Sequence, residues 1–275
     1  MTHQTGKQHT PRLVAAINVS PESFFGGSVA RGREQLLARV EQAEAAGASM
    51  IDVGAMSTAP YKETQISEEE ERSRMVEALR TIRPRTNLLL SADTQRAAVA
   101  GAALAEGADV VNDVSALTAD PRMAEVVAGA GCRVILMANG GNGVPEHGEH
   151  PPGVVAGLLN EAVSRARCAG IAEESIILDP GIGFFRHQSA GWQDWDMAVL
   201  RGLDRVVALP FPVLVAASRK SFIGSLLGRK RAEDRLAGSL AVALWCAERG
   251  VAWLRVHDPA ETRDAIRMWE LLRAT

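Results

Sequence analysis

A two-beat alternation runs the length of the 275-residue chain and repeats eight times. Each beat opens on a short β-branched or aliphatic run of about 5 to 8 residues, passes through polar and turn residues, and continues into a longer stretch with helical periodicity. The short runs are Leu13 to Val19, Met50 to Gly54, Leu88 to Asp93, Asp109 to Asp113, Arg133 to Met137, Ser175 to Asp179, Val213 to Ala217 and Trp253 to His257. The helical stretches between them are rich in Ala and Glu, as in Arg33 to Ala46 and Ala97 to Ala105. Two junctions are nearly the same, Ala46-Gly47-Ala48-Ser49-Met50-Ile51-Asp52 and Glu106-Gly107-Ala108-Asp109-Val110-Val111-Asn112. Gly47 and Gly107 are expected to be left-handed residues ending a helix.

Eight strand-helix units with right-handed crossovers either close into a (β/α)8 barrel or wind into an open sheet. An open dinucleotide-binding sheet would carry G-x-G-x-x-G after its first strand, and none is present. The expected fold is therefore an α/β TIM barrel in one domain, residues 12–275, preceded by a flexible tail of residues 1–11. Asn139 to Pro152, rich in Gly, Pro and His, reads as one long loop after the fifth strand.

With 47% hydrophobic residues the chain can fill such a core, yet its apolar stretches are broken well short of about 18 residues, so no membrane partner is expected. A polar N-terminus without a signal-type apolar stretch predicts a cytoplasmic location. The net charge of −3 argues against a nucleic-acid partner and for a small one. Cys132, Cys168 and Cys246 lack metal or disulfide spacing and read as buried packing residues. Glu68 to Glu71 read as the first turn of a helix, where carboxylates complement the dipole.

A barrel of this kind builds its site at the C-terminal strand ends, and those ends are polar in nearly every unit. In order they carry Asn18, Asp52, Asp93, Asn112 with Asp113, Asn139, Asp179, Ser218 with Lys220, and Arg255 with His257. Any one of these could merely cap the next helix. Arg255 and His257 are two apart on a strand and project together, as do Ser91 and Asp93, and the cationic pair suggests an anion such as phosphate. Buried acids at such a mouth call for a hydrogen-bond donor, and a flat heterocycle edge with ring N–H and amino groups would suit Asp93, Asn112 and Asp179. Trp192 and Trp195 read as packing residues, with a lid over the site as the sharper alternative.

These residues resemble the dihydropteroate synthase family. The likeness rests on Ile17-Asn18-Val19-Ser20-Pro21-Glu22-Ser23-Phe24, Ile51-Asp52-Val53-Gly54 with Ser57-Thr58, Asp93-Thr94, Asn112-Asp113-Val114-Ser115, Asp179 to Phe184, Ser218 to Gly224, and Arg255-Val256-His257-Asp258. The resemblance implies transfer of 7,8-dihydropterin-6-ylmethyl from its diphosphate to p-aminobenzoate, with Mg2+ assisting, in a homodimer of the folate pathway that sulfonamides target. It implies that Asp93, Asn112, Asp179 and Lys220 hold the pterin, that Met137 and Phe184 line its pocket, and that Arg255 stacks on its face. Asn18, Arg255 and His257 would bind the diphosphate, with Asn18 also toward the metal. Thr58, Pro60 and Ser221, the last with its helix N-terminus, would receive the arylamine. The catalytic set implied is Asp93, Lys220, Arg255 and His257.

The sequence departs from the family where a loop Arg is usual, reading Ser57-Thr58-Ala59-Pro60-Tyr61, with Lys62 or Arg186 as substitute cations. Glu22 stands for the usual Asp, and Met137-Ala138-Asn139 lacks the usual His. These spellings resemble a divergent, archaeal-type branch, and the second substrate they imply is p-aminobenzoate or a related arylamine. Two alternatives stay open: a pterin-dependent methyltransferase domain, and a pterin-binding protein without turnover.

Overall fold

The computed structural model describes residues 10–20, 25, 27, 29–30, 32–57, 66–139, 150–185 and 191–274. Eight parallel strands form one sheet: β1 (Arg12–Asn18), β2 (Met50–Gly54), β3 (Leu89–Asp93), β4 (Val110–Asp113), β5 (Arg133–Met137), β6 (Ile176–Asp179), β7 (Leu214–Val215) and β8 (Trp253–Val256). Their order is β6-β5-β4-β3-β2-β1-β8-β7. The two ends of that order meet through a parallel bridge between Leu178 and Val213, backed by the Leu178 N–H donating to the Pro212 carbonyl at 2.9 Å. The barrel is thus closed, and β6–β7 is its thinnest seam.

The helices are α1 (Arg33–Ala45), α2 (Glu68–Ile82), α3 (Ala97–Ala105), α4 (Met123–Ala130), α5 (Pro151–Cys168), α6 (Trp192–Arg201), α7 (Asp204–Val207), α8 (Ser221–Leu227), α9 (Leu236–Glu248) and α10 (Pro259–Arg273). Gly47 and Gly107 take φ of +68° and +91° just past α1 and α3, as their repeated junction predicts. Ser67 caps α2, its hydroxyl accepting from the Glu70 N–H at 3.1 Å. Among the described residues no helix is long and apolar enough to cross a membrane.

Strand alternation divides the core in two. Outward residues such as Leu13, Ile51, Val111 and Leu254 pack against the helices. Inward residues Val14, Met50, Val110, Ile135, Ile177, Leu214 and Trp253 fill the barrel, and the Arg12 guanidinium lies 5.1 Å from the Trp253 ring centre at its N-terminal end. The same parity, carried along each strand, gives Asn18, Asp52, Asp93, Asn112, Met137, Asp179, Ser218 and Arg255 at the opposite mouth. A single period-two pattern therefore builds both the apolar plug and the polar ring above it.

Several expectations need correction. Asp113 has the outward parity: its carboxylate accepts from Ser115 N–H at 2.8 Å, Ser115 Oγ at 2.6 Å and Leu117 N–H at 2.8 Å, which makes it a turn cap. Cys246 is buried, but Cys132 is only half-buried and Cys168 is exposed at the end of α5. The loop after β5 ends earlier than read, because Pro151 and Pro152 already sit in the first turn of α5. Trp192 and Trp195 open α6 and pack on the core, with the Trp195 ring 5.2 Å from that of Phe185, so the packing reading holds.

Candidate active site

Arg255 stands at the centre of the mouth. Its Nε donates to Asp52 Oδ2 at 2.6 Å and its Nη2 to Asp93 Oδ2 at 3.1 Å, so one planar fork joins the ends of β8, β2 and β3. Burial works against the Arg255 charge, but the Asp52 and Asp93 carboxylates more than restore it, and the guanidinium pKa lies above its ordinary value. The Asn112 amide donates weakly to Asp52, at 3.3 and 3.4 Å from its two oxygens. The donor that the sequence demands for its buried acids is thus supplied in part from within. Asp93 Oδ1, however, is buried with no hydrogen-bond partner among the described residues, as is Ser91 Oγ below it. Burial, reinforced by the Asp52 charge and only partly offset by Arg255, pushes the Asp93 carboxyl up to about 7.

The second wall comes from the turn after β6. Asp179 accepts the Gly181 N–H at 2.8 Å, and burial raises its pKa against the opposing charge of Lys220. Lys220 donates to the Ile182 carbonyl and places its ammonium 4.6 Å from the Phe184 ring centre. Gly183 has φ of +83°, which favours glycine, and a Cβ there would stand 2.9 Å from Lys220 Cδ and push the Lys220 side chain aside. Asp196 on α6 holds that turn from behind by accepting the Gly183 N–H at 2.8 Å. Met137, fully buried at the end of β5, pairs in register with Asp179.

The third wall holds Asn18 and His257. Asn18 ends β1, and its Oδ1 would lie 2.7 Å from a Cβ at Gly54, so glycine at the end of β2 makes room for the amide. His257 Nδ1 lies 3.2 Å from Ser218 Oγ, and its backbone N–H donates to the same oxygen at 3.3 Å. Burial first, then the Arg255, Arg219 and Lys220 cations, pulls the His257 pKa down to about 3, so the ring is neutral with one donor and one acceptor nitrogen. Ser221 is the first residue of α8, beside Lys220. The structure therefore gathers Asn18, Asp93, Asn112, Met137, Asp179, Phe184, Lys220, Ser221, Arg255 and His257 at one end of the barrel. Thr58 and Pro60, with Ala59, Tyr61, Lys62, Glu22 and Arg186, lie outside the described residues.

Two contributors escaped sequence reasoning. Asp52 is visible as a strand-end acid, but its task of orienting Arg255 is not, because the partner lies 203 residues away. Its inward parity between Met50 and Gly54 is the available signal. Glu71 reads as one of four carboxylates in the first turn of a helix, but that reading does not reveal that it is fully buried. It accepts from Thr94 Oγ1 at 2.6 Å and from Arg96 at 2.8 Å, while the other arm of Arg96 reaches the Ile66 carbonyl at 3.0 Å. This network ties the residue after Asp93 to the start of α2.

Among the described residues no group of three or more His, Cys, Asp or Glu could hold a metal ion by itself. The mouth instead offers the hard amide oxygen of Asn18 and neighbouring hydrogen-bond donors.

Residues 14–257 match the family model described as a pterin binding enzyme. The dihydropteroate synthase of Bacillus subtilis is 34% identical over 262 residues, covering 94% of this chain and 88% of that protein. The Xanthomonas albilineans dihydropteroate synthase solved with 4-aminobenzoic acid superposes with a TM-score of 0.85 at 35% identity, covering 98% of this chain and 95% of that one. The Yersinia pestis enzyme solved in complex with a sulfonamide drug gives a TM-score of 0.87 at 30% identity, covering 99% and 98%. All three relatives are bacterial, so the expectation of an archaeal-type branch is not borne out: the altered spellings at Glu22 and Ala59 are local and do not move the chain away from bacterial relatives. On this match of nearly the whole chain, the chain belongs to the dihydropteroate synthase family of pterin-binding enzymes.

Proposed function

We propose that the chain condenses 7,8-dihydropterin-6-ylmethyl diphosphate with p-aminobenzoate or a related arylamine, giving dihydropteroate and pyrophosphate. The observation that carries this reading is Asp93 Oδ1, buried and without a hydrogen-bond partner among the described residues, in a ring of strand ends that also bears Asn112 and Asp179. Such an atom calls for a donor, and the ring N–H and amino edge of a pterin supplies several. Asp93, Asn112, Asp179 and Lys220 take that edge. Met137 and Phe184 line the faces, and Arg255, held edge-on by Asp52 and Asp93, offers its plane to the ring.

In the reaction the C–O bond to the diphosphate breaks, the arylamine nitrogen forms the new C–N bond, and the amine loses a proton. Positive charge grows on the methylene and spreads into the pterin ring, where the Asp93 and Asp179 carboxylates stabilise it. Negative charge grows on the leaving diphosphate, toward Arg255 and the neutral His257. The pterin edge also completes the hydrogen bonding of Asp93, which lowers its pKa and favours the carboxylate needed for that work.

Mg2+ belongs to the same proposal. Magnesium takes few protein ligands and fills its shell with substrate phosphates and water. A single protein ligand, the amide oxygen of Asn18, fits a metal that arrives with the diphosphate, and Asn18 would hold it. When bound, the ion would neutralise part of the leaving-group charge. Ser221, at the first turn of α8, would take the arylamine carboxylate together with Thr58 and Pro60.

A homodimer is part of the reading and is supported by the apolar side chains exposed on α8, α9 and α10, namely Leu226, Leu227, Trp245, Met268, Leu271 and Leu272. A cytoplasmic location belongs to it as well. The test is pyrophosphate release with the pterin diphosphate, Mg2+ and p-aminobenzoate, in the parent and in Asp93→Asn. Turnover in the parent, lowered on the order of 100-fold or more in the variant, is expected. Equal rates in the two proteins would overturn the assignment of Asp93.

A further inference from the structure

Arg219 is one of three non-glycine residues among those described with positive φ, at +56°, and it is the one that lies between two residues of the site, Ser218 and Lys220. A backbone held in that sparsely populated region persists only where its surroundings over-determine it. Here every polar group of the residue is held. The Arg219 N–H donates to Ser239 Oγ at 2.8 Å, and its carbonyl accepts from Arg235 at 2.9 Å. Nε and Nη2 form a two-pronged contact with both oxygens of Asp258, each at 2.6 Å, and Nη1 donates to the carbonyls of Ala232 and Glu233 at 2.9 Å.

The pair joins the two strand ends where the chemistry sits. Arg219 lies between Ser218, whose hydroxyl meets His257, and Lys220, whose ammonium lies over Phe184. Asp258 directly follows His257. The Arg219 guanidinium also lies 4.4 Å from the centre of the Phe25 ring, and Phe25 meets the His257 ring edge-on at 5.4 Å. Both partners are nearly buried, with side chains 7% and 14% exposed. Neither has a task in the reaction as proposed.

We infer that Arg219 and Asp258 are positioning residues: their two-pronged ion pair sets the distance between Lys220, on the pterin side, and His257, on the diphosphate side. The inference rests on the proposed reaction for its meaning, because that reaction needs the ring and its leaving group held at once by two loops from different strands. The pair touches neither substrate. Its effect is on the alignment of the breaking C–O bond, so it acts on turnover and on diphosphate contacts more than on pterin binding. A lysine at 219 keeps the charge and loses the fork, and does not restore the geometry.

The test compares Arg219→Lys, Asp258→Asn and the double variant with the parent enzyme. Thermal unfolding confirms that each is folded at the assay temperature, and Asp258→Asn, nearly isosteric, serves should Arg219→Lys not fold. The expected result is a kcat lowered tenfold or more in each single variant, with the Kd for 6-hydroxymethyl-7,8-dihydropterin within about threefold of the parent. The Kd for magnesium pyrophosphate should weaken fivefold or more. The double variant should be no worse than the poorer single, because one device is lost once. Losses that multiply in the double variant, or unchanged kcat and pyrophosphate binding beside a lowered Tm, would overturn the inference and leave a purely structural ion pair. If the parent itself turns over no arylamine, the proposed reaction fails, while pyrophosphate binding still decides the pair.

Discussion

Replacing Asp52 by Asn changes one atom's chemistry at the base of the mouth and should move the pH dependence of the whole site. Asp52 is fully buried and shares Arg255 with Asp93, its Oδ2 at 2.6 Å from Nε while Asp93 Oδ2 is 3.1 Å from Nη2. A guanidinium that touches both carboxylates places them about 5 Å apart. One charge at that distance, in a medium of effective dielectric about 20, is worth about 3 kcal/mol, or about two pK units. The Asp52 charge is among the causes that push Asp93 up to about 7, after burial. Removing it lowers the Asp93 pKa, and an Arg255 released from Asp52 turns more fully to Asp93, which acts in the same direction. The free-enzyme limb of kcat/KM against pH, which rises as Asp93 ionises, should therefore shift to lower pH by about one unit or more in Asp52→Asn. On the plateau, a less well-oriented Arg255 should lower kcat/KM about tenfold or more, since the guanidinium now donates to a neutral amide oxygen in place of a carboxylate. The assay is kcat/KM for the pterin diphosphate from about pH 5 to 9 in both proteins. A limb that stays in place or moves upward would refute the electrostatic link between the two acids.

Arg96→Ala leaves Glu71 buried without its ion-pair partner and should cost on the order of 3 kcal/mol, or about 6 °C or more in Tm. Because burial already raises the folded pKa of Glu71, protonation favours the folded state, so the loss should shrink as pH falls; thermal unfolding across pH checks the sign. Ala59→Arg restores the cation usual in the family and is expected to lower the KM for p-aminobenzoate about tenfold, with little change in that for the pterin diphosphate. The parent's sulfonamide inhibition constant, measured beside its KM for p-aminobenzoate, should show weaker inhibition than in an enzyme that carries the loop Arg. Leu271→Glu with Leu272→Glu places two charges on the exposed face of α10 and should yield a monomer by sedimentation velocity.

The strand-helix count and the inward parity were legible because both follow from period-two and 3.6-residue patterns that need no knowledge of partners. Met50–Gly54 and Arg133–Met137 have the strand bounds that the sequence predicts. Val213 to Ala217 contracts to Leu214–Val215, since only those two residues pair with β8 and a lone bridge at Val213 reaches β6. Pro212, with no N–H to give the ladder, stands directly before that seam. At the site, the polar strand ends could be read from local sequence, and the resemblance distributed their roles. What could not be read are relations between distant elements: Asp52 orienting Arg255, Glu71 buried by α2 against the end of β3, and Asp258 gripping Arg219. Asp113 shows the opposite error, a strand-end acid whose parity makes it a cap. Each depends on which face a side chain takes and what meets it there.

The proposed reaction is measured most directly by steady-state turnover of 7,8-dihydropterin-6-ylmethyl diphosphate with Mg2+ and a panel of arylamines, following pyrophosphate and pteroate product together. Equal amounts of the two products are expected with p-aminobenzoate or a close relative, and a loss on the order of 100-fold in Asp93→Asn. Absence of turnover with every arylamine, in a parent protein shown by calorimetry to bind the pterin, would contradict the proposed reaction.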